Sequence, residues 1–129
     1  MAQALLIGIG GFFGSIARYA LSGVAQRLTF GGGRLFPLGT LTVNVLGCFA
    51  LGLLMQVLDE RFLIRAELRL ALTIGFLGAF TTFSTFGYET FALLNEGDWR
   101  LAAWNFTLTN ALCLTAIWAG WRLGEMRII

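Results

Sequence analysis

Between residues 75 and 86 the chain reads Gly-Phe-Leu-Gly-Ala-Phe-Thr-Thr-Phe-Ser-Thr-Phe, with two glycines, four hydroxyls and no charge inside a long apolar run. Clustered Gly, Thr and Ser at bilayer depth are tolerated only against protein or along a water-filled path. These residues do not make or break covalent bonds; they coordinate ions and donate hydrogen bonds. A helix broken near Gly78–Thr82 presents two sites back to back. Its upstream half ends in carbonyls and the negative end of a dipole, which suit a cation. Its downstream half begins with N–H groups and the positive end, which suit an anion. Thr81, Thr82, Ser84 and Thr85 are all candidates to cap that second half. Phe83 and Phe86, three apart, project their rings from one face. Ring edges are electropositive and suit an anion stripped of water, although the commoner use of such a pair is core packing.

Other polar residues stand out because their surroundings are apolar. Thr40, Asn44 and Gly47 share one face of the second apolar run, and Asn44 is the amide in its middle. In hydrocarbon it must find hydrogen bonds, either as glue between helices or in a polar pore, and its own run leaves both open. In the last run Thr107 and Asn110 share a face, with Thr115 farther along, either continuing a polar track or bonding to helix carbonyls. Arg18 lies deep in the first run, where it faces a wet vestibule or snorkels. Glu89 follows Phe86 by about one turn, at a pore mouth or at the helix end.

The elements that must position these residues are membrane helices. Of 129 residues, 57% are hydrophobic and 12% charged, against about 25% charged in a soluble domain. Four unbroken apolar runs, at about 4–28, 37–58, 68–94 and 101–123, each exceed the length that crosses a bilayer. A barrel would need short alternating segments instead. The expected fold is an all-α, single-domain, four-span membrane protein with its third helix broken in mid-membrane. The N-terminus lacks a basic region and reads as the first mature span rather than a signal peptide. Pro37 suits a first helical turn. Gly31–Gly33 read as a linker, because no GK[ST] follows them. The mixed-sign stretch 59–69 reads as a solvated or interfacial link. Trp99 and Trp104, and Trp118 and Trp121, read as interfacial anchors.

Composition also excludes function classes. The chain has no histidine and no lysine, which removes the usual general base, the commonest metal ligand and Schiff-base chemistry. No enzyme is expected. The net charge of +2 is too small to suggest nucleic acid. Cys48 and Cys113 have no CxxC spacing and read as small packing residues. With four spans, Arg61, Arg65, Arg69, Arg122 and Arg127 lie on one side, and Arg27, Arg34 and Arg100 on the other. That weak bias, and the small-residue faces such as Gly10-xxx-Gly14, favour an oligomer of oppositely inserted copies.

Three ordered motifs carry a family resemblance: Gly10-Gly11-xx-Gly14-xxx-Arg18-Tyr19; Gly39-Thr40-Leu41-xx-Asn44-xx-Gly47 with Gly52; and Gly75-Phe76-Leu77-Gly78-xx-Thr81-Thr82-Phe83-Ser84-Thr85-Phe86. The chain resembles the Fluc (CrcB-type) fluoride channels over essentially its whole length, and the third motif is the specific one. The resemblance implies an antiparallel, dual-topology homodimer with two pores. It implies a passive channel in the plasma (inner) membrane that lets fluoride leave and limits its toxicity. By matching position, Phe83 and Phe86 are implied as pore phenylalanines and Asn44 as a pore-lining amide, with Ser84 and Thr85 in or beside the polar path. The carbonyls of Gly78 and Thr81 are implied as holding a structural sodium ion between subunits. The fourth span, with Thr107 and Asn110, matches least distinctly.

Two other readings compete. A small proton-coupled multidrug transporter needs a carboxylate in its first span, and this chain has none there. A non-transporting packing subunit explains the glycines and leaves the Thr/Ser/Phe cluster without a purpose.

Overall fold

The computed structural model describes residues 1–28, 36–61 and 64–126, the side chains at 59–61 excepted. The Gly31–Gly33 linker, Arg34, Arg127 and the first part of the mixed-charge link lie outside the described residues or side chains. Every regular element described is helical: α1 (Ala2–Arg27), α2 (Leu38–Arg61), α3 (Ala66–Leu70), a π-helical segment (Ala71–Leu77), α4 (Gly78–Phe80), α5 (Phe83–Asn95) and α6 (Trp99–Met126). Among the described residues, three stretches are long and apolar enough to cross a membrane, Ala2–Arg27, Leu38–Leu58 and Ala66–Asn95; α6, which holds the fourth expected run, is not one of them.

The helices begin and end for local reasons. Pro37 sits just before α2 rather than inside its first turn, and its carbonyl accepts from the Leu41 N–H at 3.2 Å. Gln26 fastens that entry to α1: its Nε2 donates to the Phe36 carbonyl, and its Oε1 accepts from the Gly39 N–H, both at 3.0 Å. Gly97, at φ 80°, makes the turn after α5 in the left-handed region that favours glycine. Asp98 then caps α6, its Oδ1 accepting from the Leu101 N–H at 3.3 Å.

Two helix pairs make the frame, and glycines set how close they come. α1 packs along the π-helical segment. A Cβ on Gly10 would meet the Ala71 carbonyl, and one on Gly14 the Phe76 carbonyl. α2 packs along α6, with Gly52 against the Ile117 carbonyl and Gly120 against that of Phe49. Along α1, Gly10 and then Gly14 meet Ala71 and then Phe76, and along α6, Gly120 and then Gly124 meet Phe49 and then Gln56, so each pair runs parallel. Backbones this close gain dispersion contacts where the hydrophobic effect supplies none.

Beside an apolar core that includes Leu41, Val43, Leu77 and Phe80, the fold buries polar residues and exposes large apolar ones. Thr40, Asn44, Gln56, Thr82, Asn105 and Thr109 are buried, while Phe12, Phe13, Ile16, Phe91, Trp104 and Trp118 are exposed. A bilayer accepts apolar side chains outside and drives polar groups to one another inside. The chain folds as membrane proteins do.

Helical geometry stops after Phe80 and resumes at Phe83. Thr81 (φ −86°, ψ 158°) and Thr82 (φ −152°, ψ 111°) are extended. The interruption lies within the expected Gly78–Thr82 window, but neither nearby glycine is in it. Gly78 is helical (φ −63°, ψ −35°), and Gly75 lies in the π-helical segment against the Ile7 carbonyl. Gly75 serves contact with α1. The extended residues are two β-branched threonines, which suit that geometry.

Candidate functional site at the helix break

Asn44 holds the break open. Its Oδ1 accepts from the Thr82 N–H at 2.7 Å, and its Nδ2 donates to the Thr82 carbonyl at 3.1 Å. One side-chain amide thus pairs with one residue as a neighbouring strand would. In an uninterrupted helix the Thr82 N–H would go to the Gly78 carbonyl; here Asn44 takes it.

The four hydroxyls divide their work. Thr82 is the cap of α5: its Oγ1 accepts from the Thr85 N–H at 3.3 Å and donates to Thr85 Oγ1 at 2.9 Å. That bond withdraws the Thr85 N–H from the Thr81 carbonyl, its α-helical partner. Thr81 turns upstream, donating to the Leu77 carbonyl at 3.0 Å. Ser84 is exposed on the first turn of α5, 3.4 Å from Thr82 Oγ1. Both carbonyls at the upstream end, Gly78 and Thr81, are therefore released from the helical ladder by identified side chains.

The two rings share one site and differ in exposure. Phe83 is 79% exposed and Phe86 is 4% exposed, with centroids 5.4 Å apart. Phe86 is backed by Phe106, at 6.3 Å. A cavity of about 280 Å³ brings together Asn44, Gly78, Thr81, Phe83, Phe86 and Asn110, with Thr82, Thr109, Cys48 and Cys113 also in its wall. A second cavity, of about 270 Å³, lies on the other side of Thr82 and is lined by Arg18, Tyr19, Ser22, Thr40, Val43 and Thr85. Thr82 is common to both.

The remaining candidates fall as follows. Arg18 is half-buried in the second cavity and meets no carboxylate among the described residues. Glu89 Oε1 accepts from Thr40 Oγ1 at 2.7 Å, tying α5 to α2, while its Oε2 is buried without a partner among the described residues. Thr107 is exposed on α6 and lines neither cavity. Asn110 and Thr115 are exposed and donate to the carbonyls of Phe106 (2.7 Å) and Ala111 (2.8 Å) in their own helix.

Sequence reasoning overlooked the polar residues that α6 buries. Asn105, 1% exposed, donates to Thr90 Oγ1 at 2.8 Å. Thr90 in turn donates to the Phe86 carbonyl at 2.8 Å, and Thr109 Oγ1 lies 3.4 Å from Asn105 Oδ1. This chain of bonds buttresses the helix that carries Phe86. Its signal was present: Ala102, Asn105, Thr109, Gly120 and Gly124 repeat at helical spacing, and all five are buried.

From residue 5 to residue 121 the chain matches the model of a family described as CrcB-like protein, camphor resistance (CrcB). It is 51% identical over 120 residues to a fluoride-specific ion channel FluC of Geobacter sulfurreducens, covering 93% of this chain and 94% of the relative. A protein of the same description from Geobacter metallireducens is 48% identical over the same shares. One from Nitratidesulfovibrio vulgaris is 43% identical over the full length of both chains.

Proposed function

The chain belongs to the CrcB-like family, and from that premise we infer that it is a fluoride-specific ion channel. It is a multi-pass protein of the plasma membrane that lets fluoride leave the cell passively and so limits its toxicity. Its work is transport. Neither the drug-exporter reading nor the packing-subunit reading is favoured by its relatives.

The observation that carries the reading is the helix break in the wall of a shared cavity, with a donor end and an exposed ring beside it. Fluoride is small and strongly hydrated, so a route for it must offer donors where water is shed. The first turn of α5 has N–H groups that its own helix does not satisfy, and its dipole favours an anion. Phe83 and Phe86 line the cavity there, where their ring edges would meet the ion, and the hydroxyls of Ser84 and Thr85 follow in the first turn of α5. We assign the ion path to Asn44, Phe83, Ser84, Thr85 and Phe86, with Asn110 in the same cavity wall and Thr107 continuing it along α6 outside the two cavities. Asn44 ties the break and lines the cavity, which supports giving it a place on the path.

The fold proposed for the working channel has four spans, with α6 the fourth. The parallel register of α2 on α6, and of α1 on the π-helical segment, is the arrangement expected when alternate spans cross in the same direction. The assembly proposed is an antiparallel homodimer of oppositely inserted copies. The carbonyls of Gly78 and Thr81 would hold its structural sodium ion. They fit a hard cation, because they are oxygen donors withdrawn from the helical ladder by Asn44 and Thr82. Bound there, the ion would neutralise the carbonyl end of the break.

Reconstituted protein tests the reading. Liposomes loaded with fluoride should release it without a proton gradient and should retain chloride. Release that needs a gradient, or equal loss of chloride, would overturn it.

A further inference from the structure

Cys48 on α2 and Cys113 on α6 are free, half-buried thiols in the wall of the cavity at the break. The helix register brings them together. α2 and α6 run parallel with Gly52 against Ile117, and one turn back from each lie Cys48 and Cys113. The two thus stand on facing turns of neighbouring helices and share one cavity wall. No cluster of three or more His, Cys, Asp or Glu exists among the described residues, so nothing there completes a four-ligand site of the zinc kind.

We propose that Cys48 and Cys113 form a two-coordinate site for a soft, divalent d10 cation of the mercury(II) type. Soft thiolates select soft metals, and the thiolate is the ligand. Two S–H bonds and the ion's two bonds to chloride break, and two S–metal bonds form; two protons and two chloride ions leave to water, and no electron is transferred. The product is a neutral dithiolate–metal unit. A dication bound by two thiolates adds no net charge to the wall. A monovalent soft ion between two thiolates would leave one negative charge, and a hard dication would forgo its oxygen ligands. The site goes beyond the channel reading and does not depend on it.

The test is a titration of the purified full-length protein with mercury(II) chloride. Ultraviolet thiolate-to-metal absorption and free-thiol counting report the result. One ion per chain should consume both thiols, with an end point at one equivalent. Cys48→Ser and Cys113→Ser should each surrender the ion to an added monothiol at about a hundredfold lower concentration than the wild type, because the second ligand acts at high effective concentration. Cys48→Ala and Cys113→Ala serve the same purpose should either serine variant fail to elute as the wild type does. Independent reaction of the two thiols, with two ions bound per chain, would overturn the proposal. So would a single variant that holds the ion as tightly as the wild type. Recovery of the two-thiol end point on mixing the two single variants would place the bridge between chains, and would overturn it as well.

Discussion

At the scale of single residues, one amide decides whether the third long helix is broken. Asn44 satisfies both backbone groups of Thr82 from inside the fold. Asn44→Leu keeps the volume and removes both bonds. It should cost about 2–4 kcal/mol, because a buried N–H and carbonyl are left unpaired. Fluoride flux should fall with stability, and a thermal melt of the purified variant reads the first effect. The two phenylalanines separate stability from conduction. Phe86→Ile should reduce flux and lower stability by about 1–2 kcal/mol, because the ring is buried against Phe106. Phe83→Ile should reduce flux and leave the melt unchanged, because that ring is exposed. Wild-type flux in both variants would contradict the role given to the rings. The phenylalanine pair and Asn44 were legible in the sequence, because each was out of place in an apolar run. Asn105 and Thr109 went unread, because hydroxyls and amides on several faces of that helix drew attention away from the face its small residues mark. The glycines of α6 mark that face, and they bear no polar signal of their own.

At the scale of elements, the break was legible and its cause was not. Glycines drew attention to the stretch, yet the two extended residues are Thr81 and Thr82. Gly75 instead lets α1 approach, a role that only a neighbouring helix reveals. Thr82→Val keeps the β-branched shape and removes the cap of α5, so it should cost about 0.5–2 kcal/mol, measured by thermal melting. The close helix contact makes a sharper contrast. Gly14→Ala would drive a methyl into the Phe76 backbone and should prevent stable folding, whereas Gly23→Ala meets nothing within 4 Å. Gly23→Ala should be neutral or stabilising by up to about 1 kcal/mol, from helix propensity. Comparison of the two by size-exclusion elution and melting tests whether the glycines serve contact or flexibility. Equal tolerance of both would contradict the packing account.

At the scale of the whole molecule, the fold keeps polar groups inside and apolar rings outside, as a bilayer requires. That much followed from composition and run length alone. The junction between α2 and α6 did not, because it depends on which glycine faces which carbonyl. The proposed sodium site belongs to this scale, since it would join two copies of the chain. Replacing sodium by a large organic cation should lower the melting temperature of the purified protein, and restoring sodium should reverse the change. A melt indifferent to sodium would contradict that site. The central claim is that the chain is a passive, fluoride-selective path, and reconstituted flux tests it most directly. The account predicts fluoride efflux from liposomes with no proton gradient and chloride held back. Chloride leaving as fast as fluoride, or fluoride leaving only when a proton gradient is imposed, would contradict it.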